Sequence, residues 1–396
     1  MDSDTTIRTN PGGRRRTRRI LALGLASAGV LLAACSSSST PAATTLPPGG
    51  KLSSSNAAYI AADLKAPGGT IQAAGSTFVQ PFFTKAFFTY TSLNSGLQVN
   101  YSGVGSGAGI TDFEAGTVDF AASDVPMSSS DLAKVPASSG PVIQIPDTLG
   151  GVTASYNLPG VTTRLKLDAT TLAGIFDGTI KTWNASQIKS LNPGVTLPSN
   201  PITPEVRADS SGTTYIFTNY LSEAAPSAWM LGASKTISWP SSAVQTPKNS
   251  GVASSIKSTP YSIGYVELAY ALQNNFTFAS IKNAAGNYVV PSAATVAADA
   301  DQKTSVSPTD FSIVNQEGAT SYPISGYSWA ILLEKQTSAT TGAQVVKVLD
   351  WTTHTGGGQD LAPGLGYVIL PPAVQNQART ALLTVTGPSG QALLTK

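Results

Sequence analysis

Residues 69–74 alternate apolar and polar side chains as a half-buried strand does. Phe78, Phe82, Phe83, Ala86, Phe87 and Tyr90 then recur at helical spacing and read as a core-facing stripe. Pro81 is tolerable there only in the first turn, and Ser76 or Thr77 is the natural N-cap. A second strand is predicted over 97–101, a short helix over 110–115 opened at Ser106, and a third strand over 118–122. This strand–turn–helix alternation predicts an α/β fold with a largely parallel sheet.

Further along, residues 150–156 predict an extended crossover. Helical pieces follow at 172–176 and 188–191, the latter closed by Asn192-Pro193-Gly194. A strand ends at Val206-Arg207, and a helix covers 214–221. An apolar block spans 263–266, a long return strand 322–333, and a closing helix 345–351. Two domains are expected: the first from 68–152 plus 323–396, the second from 153–322. Residues 68–396 are long enough for both.

The N-terminus reads as an address. Arg14, Arg15, Arg16, Arg18 and Arg19 precede an apolar run over 20–34, too short to span a bilayer. Residues 1–34 are therefore expected to be a signal peptide. Thr17-Arg18-Arg19-Ile20-Leu21 loosely resembles a twin-arginine export signal, and the general Sec route fits equally. The run ends Leu32-Ala33-Ala34-Cys35, which resembles a bacterial lipoprotein processing box. Cys35 is the only cysteine, so internal disulfides and cysteine-cluster metal sites are excluded. Lipid attachment at Cys35 is expected. Residues 36–67, rich in Ser, Thr, Ala, Pro and Gly, suit a flexible tether.

The formal net charge of +2 misleads. Six arginines against Asp2 and Asp4 lie within 1–34, so removing that segment takes the balance to −2. No basic face remains to argue for nucleic acid. Arg164, Arg207 and Arg379 are the arginines left.

Arg207 lies in one of three Gly/Ser/Thr-rich turns placed to open helices. They are Ala74-Gly75-Ser76-Thr77-Phe78, Gly103-Val104-Gly105-Ser106-Gly107-Ala108-Gly109 and Arg207-Ala208-Asp209-Ser210-Ser211-Gly212-Thr213-Thr214. Such turns gather unpaired N–H groups and hydroxyls at positive helix ends, which suits a small anion. Any one alone is most simply an ordinary helix cap. A further segment, Val118-Asp119-Phe120-Ala121-Ala122-Ser123-Asp124, puts a carboxylate at a strand end. A carboxylate beside an anion is costly unless the anion carries a proton for it to accept.

These segments, with Ile175-Phe176-Asp177-Gly178-Thr179-Ile180, Leu191-Asn192-Pro193-Gly194 and Ile263-Gly264-Tyr265-Val266-Glu267, resemble the phosphate-binding proteins of bacterial ABC phosphate importers. The resemblance runs from about residue 69 to the C-terminus. It implies a two-lobe, hinge-closing fold of the periplasmic-binding-protein type, each lobe a mostly parallel sheet flanked by helices. It implies that Thr77, Phe78 (by its backbone) and Ser106 donate to phosphate. Asp124 would accept the phosphate proton, and Arg207, Ser211, Gly212 and Thr213 would form the opposite wall. Asp209 would hold Arg207. Departures are mild: Ala108 and Ser210 stand where glycine is frequent, and neither supplies a ligand side chain. The resemblance further implies a monomer, lipid-anchored on the extracytoplasmic face, that delivers phosphate to membrane permease subunits without a cofactor or metal.

Competing chemistries are thinner. Gly103-Val104-Gly105-Ser106-Gly107-Ala108 nearly matches a dinucleotide fingerprint, but only the Asp124 strand end stands where the ribose-binding acid would fall. Ser186-Gln187-Ile188-Lys189 and Ser254-Ser255-Ile256-Lys257 both fit an acylase pattern with no Lys-Thr-Gly beside them. His354, the sole histidine, reads as a helix-end partner rather than a base. His/Asp clusters for a metal hydrolase are lacking. The alternatives are a receptor for another tetrahedral oxyanion such as sulfate, or a secreted serine hydrolase or phosphatase using Ser106 or Ser211.

Overall fold

Residues 65–395 are described in a computed structural model of the chain. The expected signal peptide, Cys35 and nearly all of the tether lie outside them.

Strand β1 (Gly69–Gly75) leads to helix α1 (Gln80–Leu93). The helix buries Phe82, Phe83, Ala86, Phe87 and Tyr90, the stripe read from the sequence. Its start differs from expectation. The flanking residue is Val79, with no side-chain cap, and Pro81 sits in the first turn. Ser76 Oγ instead accepts from the Phe78 N–H at 2.9 Å, so the serine shapes the turn before the helix rather than the helix end.

Strand β2 (Leu97–Gly103), helix α2 (Ser106–Glu114) and strand β3 (Phe120–Ser123) follow. The next strand, β4 (Val142–Asn157), is 16 residues long and buried from Ile145 to Tyr156. After it come α3 (Ala169–Phe176), β5 (Thr203–Arg207), α4 (Gly212–Ala224), β6 (Val244–Thr246), α5 (Lys248–Ser258), β7 (Ser262–Glu267) and α6 (Leu268–Gln273). Helix α7 (Ala293–Ala300), strand β8 (Ser325–Leu333) and helices α8 (Ala339–Thr352) and α9 (Pro372–Leu382) complete the set used below.

The main sheet runs β2-β1-β3-β8-β4-β7-β5-β6. Strand β1 is parallel to β2 and β3, and β5 is parallel to β6 and β7, as the strand–helix alternation predicts. The middle pairings are antiparallel: β3 with β8, β8 with β4, and β4 with β7. The reason is topological. Strand β4 carries the chain out from the first half of the sheet to the second, and β8 carries it back. Residues 142–151 of β4 pair with β8, and residues 152–157 pair with β7. The register shifts between Ser328 and Trp329, leaving Asp147 as the unpaired extra residue of a bulge.

Aromatic packing holds each half. Phe83 and Phe87 stand edge-on to Phe120 in the first. In the second, Phe217 stacks on Tyr265 with ring centres 4.6 Å apart. The carboxyl ends of β1, β3 and β5 deliver Gly75, Ser123 and Arg207 to one place, where ligands of α/β sheets sit.

Candidate functional site

All eight residues nominated for the anion are buried within one hydrogen-bonded region. The first wall is the turn after β1. Three tyrosine hydroxyls from separate parts of the chain donate to three consecutive carbonyls there: Tyr101 to Ser76 O (2.7 Å), Tyr270 to Thr77 O (2.7 Å) and Tyr367 to Phe78 O (2.5 Å). Each peptide is planar, so pinning a carbonyl aims the following N–H the opposite way. The backbone of this turn is thus held by hydroxyls from three separate parts of the chain.

The second wall is the start of α2. The Ser106 hydroxyl oxygen accepts from the Gly212 N–H at 3.2 Å and from the Asp124 N–H at 3.3 Å, and lies 3.5 Å from Asp124 Oδ2. The Gly107 N–H donates to Ser210 O at 3.0 Å. Here α2 meets the turn before α4, so the two halves of the chain touch directly. That approach explains two glycines. A Cβ on Gly212 would run into the Asp124 carboxylate, and one on Gly105 (φ +100°) would run into Asp209.

The third wall is the turn after β5. Ser211 caps α4 by accepting from the Thr214 N–H at 3.1 Å, which leaves its own O–H able to donate. Arg207 Nε and Nη2 fork onto Asp209 at 2.7 and 2.5 Å. Burial pushes the Asp209 carboxyl up, but Arg207 and the Lys248 N–H outweigh this and hold it below its ordinary value. Arg207 Nη1 lies 3.5 Å from Thr213 Oγ1.

Asp124 is 2% exposed, and its Oδ1 has no hydrogen-bond partner. Burial pushes its carboxyl up to about 7, opposed by the Ser76 hydroxyl, the Arg207 charge and the hydroxyls of Ser328 and Ser106. An acceptor without a donor, set among donors, matches an oxygen that brings its own hydrogen. Two more carboxyls lie buried nearby, Asp147 at the bulge and Glu267 at the end of β7, and burial raises both well above their ordinary values. Asp124 adds to both shifts by like-charge repulsion.

Asn249 escaped the sequence reading. Fully buried on α5, it links Thr77 to Thr213 through its amide. It sits in Pro247-Lys248-Asn249-Ser250-Gly251, outside the three polar turns singled out from the sequence. The competing chemistries find little support. His354 Nδ1 is bonded to Asp350 O at 2.6 Å at the end of α8, and neither Ser106 nor Ser211 has a histidine partner. Among the described residues no group of His, Cys, Asp and Glu is placed to hold a metal, and no helix is long and apolar enough to cross a membrane.

The chain is similar to several known proteins. A family profile described as a PBP superfamily domain matches residues 36–355. A phosphate-binding protein PstS of Xylella fastidiosa is 38% identical over 315 residues, covering 78% of this chain and 83% of that protein. The PstS of Pasteurella multocida is 38% identical over 311 residues, covering 77% and 87%. A solved structure of a high-affinity periplasmic phosphate-binding protein, PfluDING, bound with phosphate, shares the fold. Its TM-score is 0.67 at 24% identity, over 79% of this chain and 93% of that one.

Proposed function

The chain belongs to the PstS family of phosphate-binding proteins within the PBP superfamily, and from that premise we propose that it binds inorganic phosphate outside the cytoplasm and passes it to an ABC import permease. It is a transport binding protein, not an enzyme.

The observation that carries this reading is Asp124, a buried carboxylate with an unmet oxygen in a site otherwise made of donors. A phosphate dianion taken from water must recover its solvation from fixed groups. The hydroxyls of Thr77, Ser106, Ser211 and Thr213, the Phe78 and Gly212 N–H groups once they turn from the Ser76 and Ser106 hydroxyl oxygens to the ligand, and the Arg207 edge not bound to Asp209 would supply donors with a single formal positive charge. The remaining phosphate oxygen carries a proton, which Asp124 accepts. Sulfate at neutral pH has no such proton.

Residues 68–152 with 323–396 form one lobe and 153–322 the other, hinged where β4 and β8 cross. Supporting this division, donors come from both sides and the Ser106–Gly212 contact spans them. The mature protein is a monomer attached to the membrane by lipid on Cys35.

Equilibrium titration with phosphate, sulfate and arsenate tests the assignment. Saturable phosphate binding at one site, with sulfate far weaker, is expected. A protein indifferent to phosphate, or one preferring sulfate, refutes it. Small-angle scattering of the same samples should show a smaller radius of gyration with phosphate, because only the closed form engages both walls.

A further inference from the structure

We infer that Asn249 is a positioning residue that fixes the proton polarity of the site, turning Thr77 and Thr213 into obligate donors. This rests on the phosphate reading above.

The orientation of the Asn249 amide is set by its neighbours. The Glu267 backbone N–H donates to Oδ1 at 3.0 Å. A backbone N–H can only donate, so the atom facing it must be the amide oxygen. The amide nitrogen therefore faces the other way, where Nδ2 lies 3.1 Å from Thr77 Oγ1 and 2.9 Å from Thr213 Oγ1. Its two hydrogens serve one threonine each. The backbone N–H of Asn249 adds a second donation to Thr77 Oγ1 at 3.2 Å. Arg207 Nη1 approaches Thr213 Oγ1 at 3.5 Å as a second donor there.

A hydroxyl has one hydrogen and two lone pairs. With donors on both lone-pair sides, each threonine has only its hydrogen left to offer. Toward a bound anion both can donate and neither can accept. A threonine without such neighbours turns its hydroxyl either way and takes a protonated oxygen as readily as a bare one. Asn249 thus reserves the Thr77 and Thr213 positions for bare oxygens and leaves Asp124 as the place for the protonated one. The ligand class selected is a tetrahedral anion with bare oxygens on one side and a single hydroxyl on the other. Thr77 and Thr213 lie on opposite walls of the site, so this sorting of oxygens is complete only when the walls are together.

Three proteins test it by calorimetric titration with inorganic phosphate: wild type, Asn249→Ala and Asn249→Asp. The aspartate is isosteric but accepts where asparagine donates, so it reverses the threonine hydroxyls. Expected is a loss of about tenfold for alanine and about a hundredfold or more for aspartate. In a Thr77→Val/Thr213→Val background, Asn249→Ala should cost no more than about twofold further, because it acts through the hydroxyls now absent. A thermal melt of each ligand-free protein keeps folding separate from binding. Two results overturn the inference while leaving phosphate binding intact: Asn249→Asp binding as tightly as wild type, or Asn249→Ala costing the same in both backgrounds. A wild type that ignores phosphate overturns both.

Discussion

Asp124→Asn probes anion choice most directly. In the closed site, burial holds the Asp124 carboxyl near 7. The reference for a cleft open to water is a fully hydrated aspartate, which titrates at about 3.9. A ligand oxygen without a proton can rest against Asp124 only after the carboxyl takes a proton from solvent. At pH 7 that requirement spans about 3 pH units, or ~4 kcal/mol, about a thousandfold in affinity. At pH 5 it spans about 1 unit, roughly tenfold. Phosphate brings its own proton at both values, and sulfate brings none. The preference for phosphate over sulfate should therefore fall about a hundredfold as pH drops from 7 to 5. Asparagine carries a permanent N–H donor on the same skeleton, so sulfate meets no protonation cost. In the variant the preference should be smaller at pH 7 and nearly flat with pH. Competition calorimetry at pH 5, 6, 7 and 8 reads both effects. A wild-type preference that stays constant across that range, or one that the variant keeps unchanged, refutes the assignment of selectivity to Asp124.

Arg207→Ala should weaken phosphate by about 2–5 kcal/mol, and Asp209→Asn added to it should restore part of the loss by removing a carboxylate left without its partner; a titration within a few-fold of wild type for the single variant sinks the role of Arg207. Cys35→Ala should release the protein from membranes without altering phosphate affinity, which fractionation after a high-salt wash will decide. Asp299, fully buried on α7, is raised to about 9 by burial, against the Ser325 side chain and the Gln316 backbone. An acid raised on folding binds more protons folded than unfolded, so its stability contribution falls as pH climbs from about 4 to about 9. Asp299→Asn should therefore stabilise the protein by roughly 2–4 kcal/mol at pH 7 and by almost nothing at pH 4, and chemical denaturation that finds no pH-dependent gain contradicts this.

What was legible in the chain was what is local. The α1 stripe is set by 3.6-residue spacing, and each polar turn is contiguous, so Thr77, Ser106, Asp124 and Arg207 announce themselves. The antiparallel middle of the sheet was not legible, because the pairing of residues 142–151 with 325–333 joins segments far apart in sequence. Asn249 was hidden for the same reason: its partner Thr77 is 172 residues away. The role of Ser76 is not legible either, because a serine before a helical stripe can cap the helix or close the preceding turn, and here its Oγ accepts from the Phe78 N–H and does the latter.

The place of β8 in the sheet has a consequence for how the molecule is made. The strand sits between β3 and β4, yet it is encoded last of all the strands of the main sheet. When β3 leaves the ribosome, roughly 210 residues separate it from the end of β8, on the order of 10–40 s of synthesis. Throughout that time the first half of the sheet has an open edge and no route to completion, since closing so long a loop must precede its reward. The main sheet is therefore completed only by the last of its strands to be synthesised, after the C-terminal part of the chain has begun to emerge.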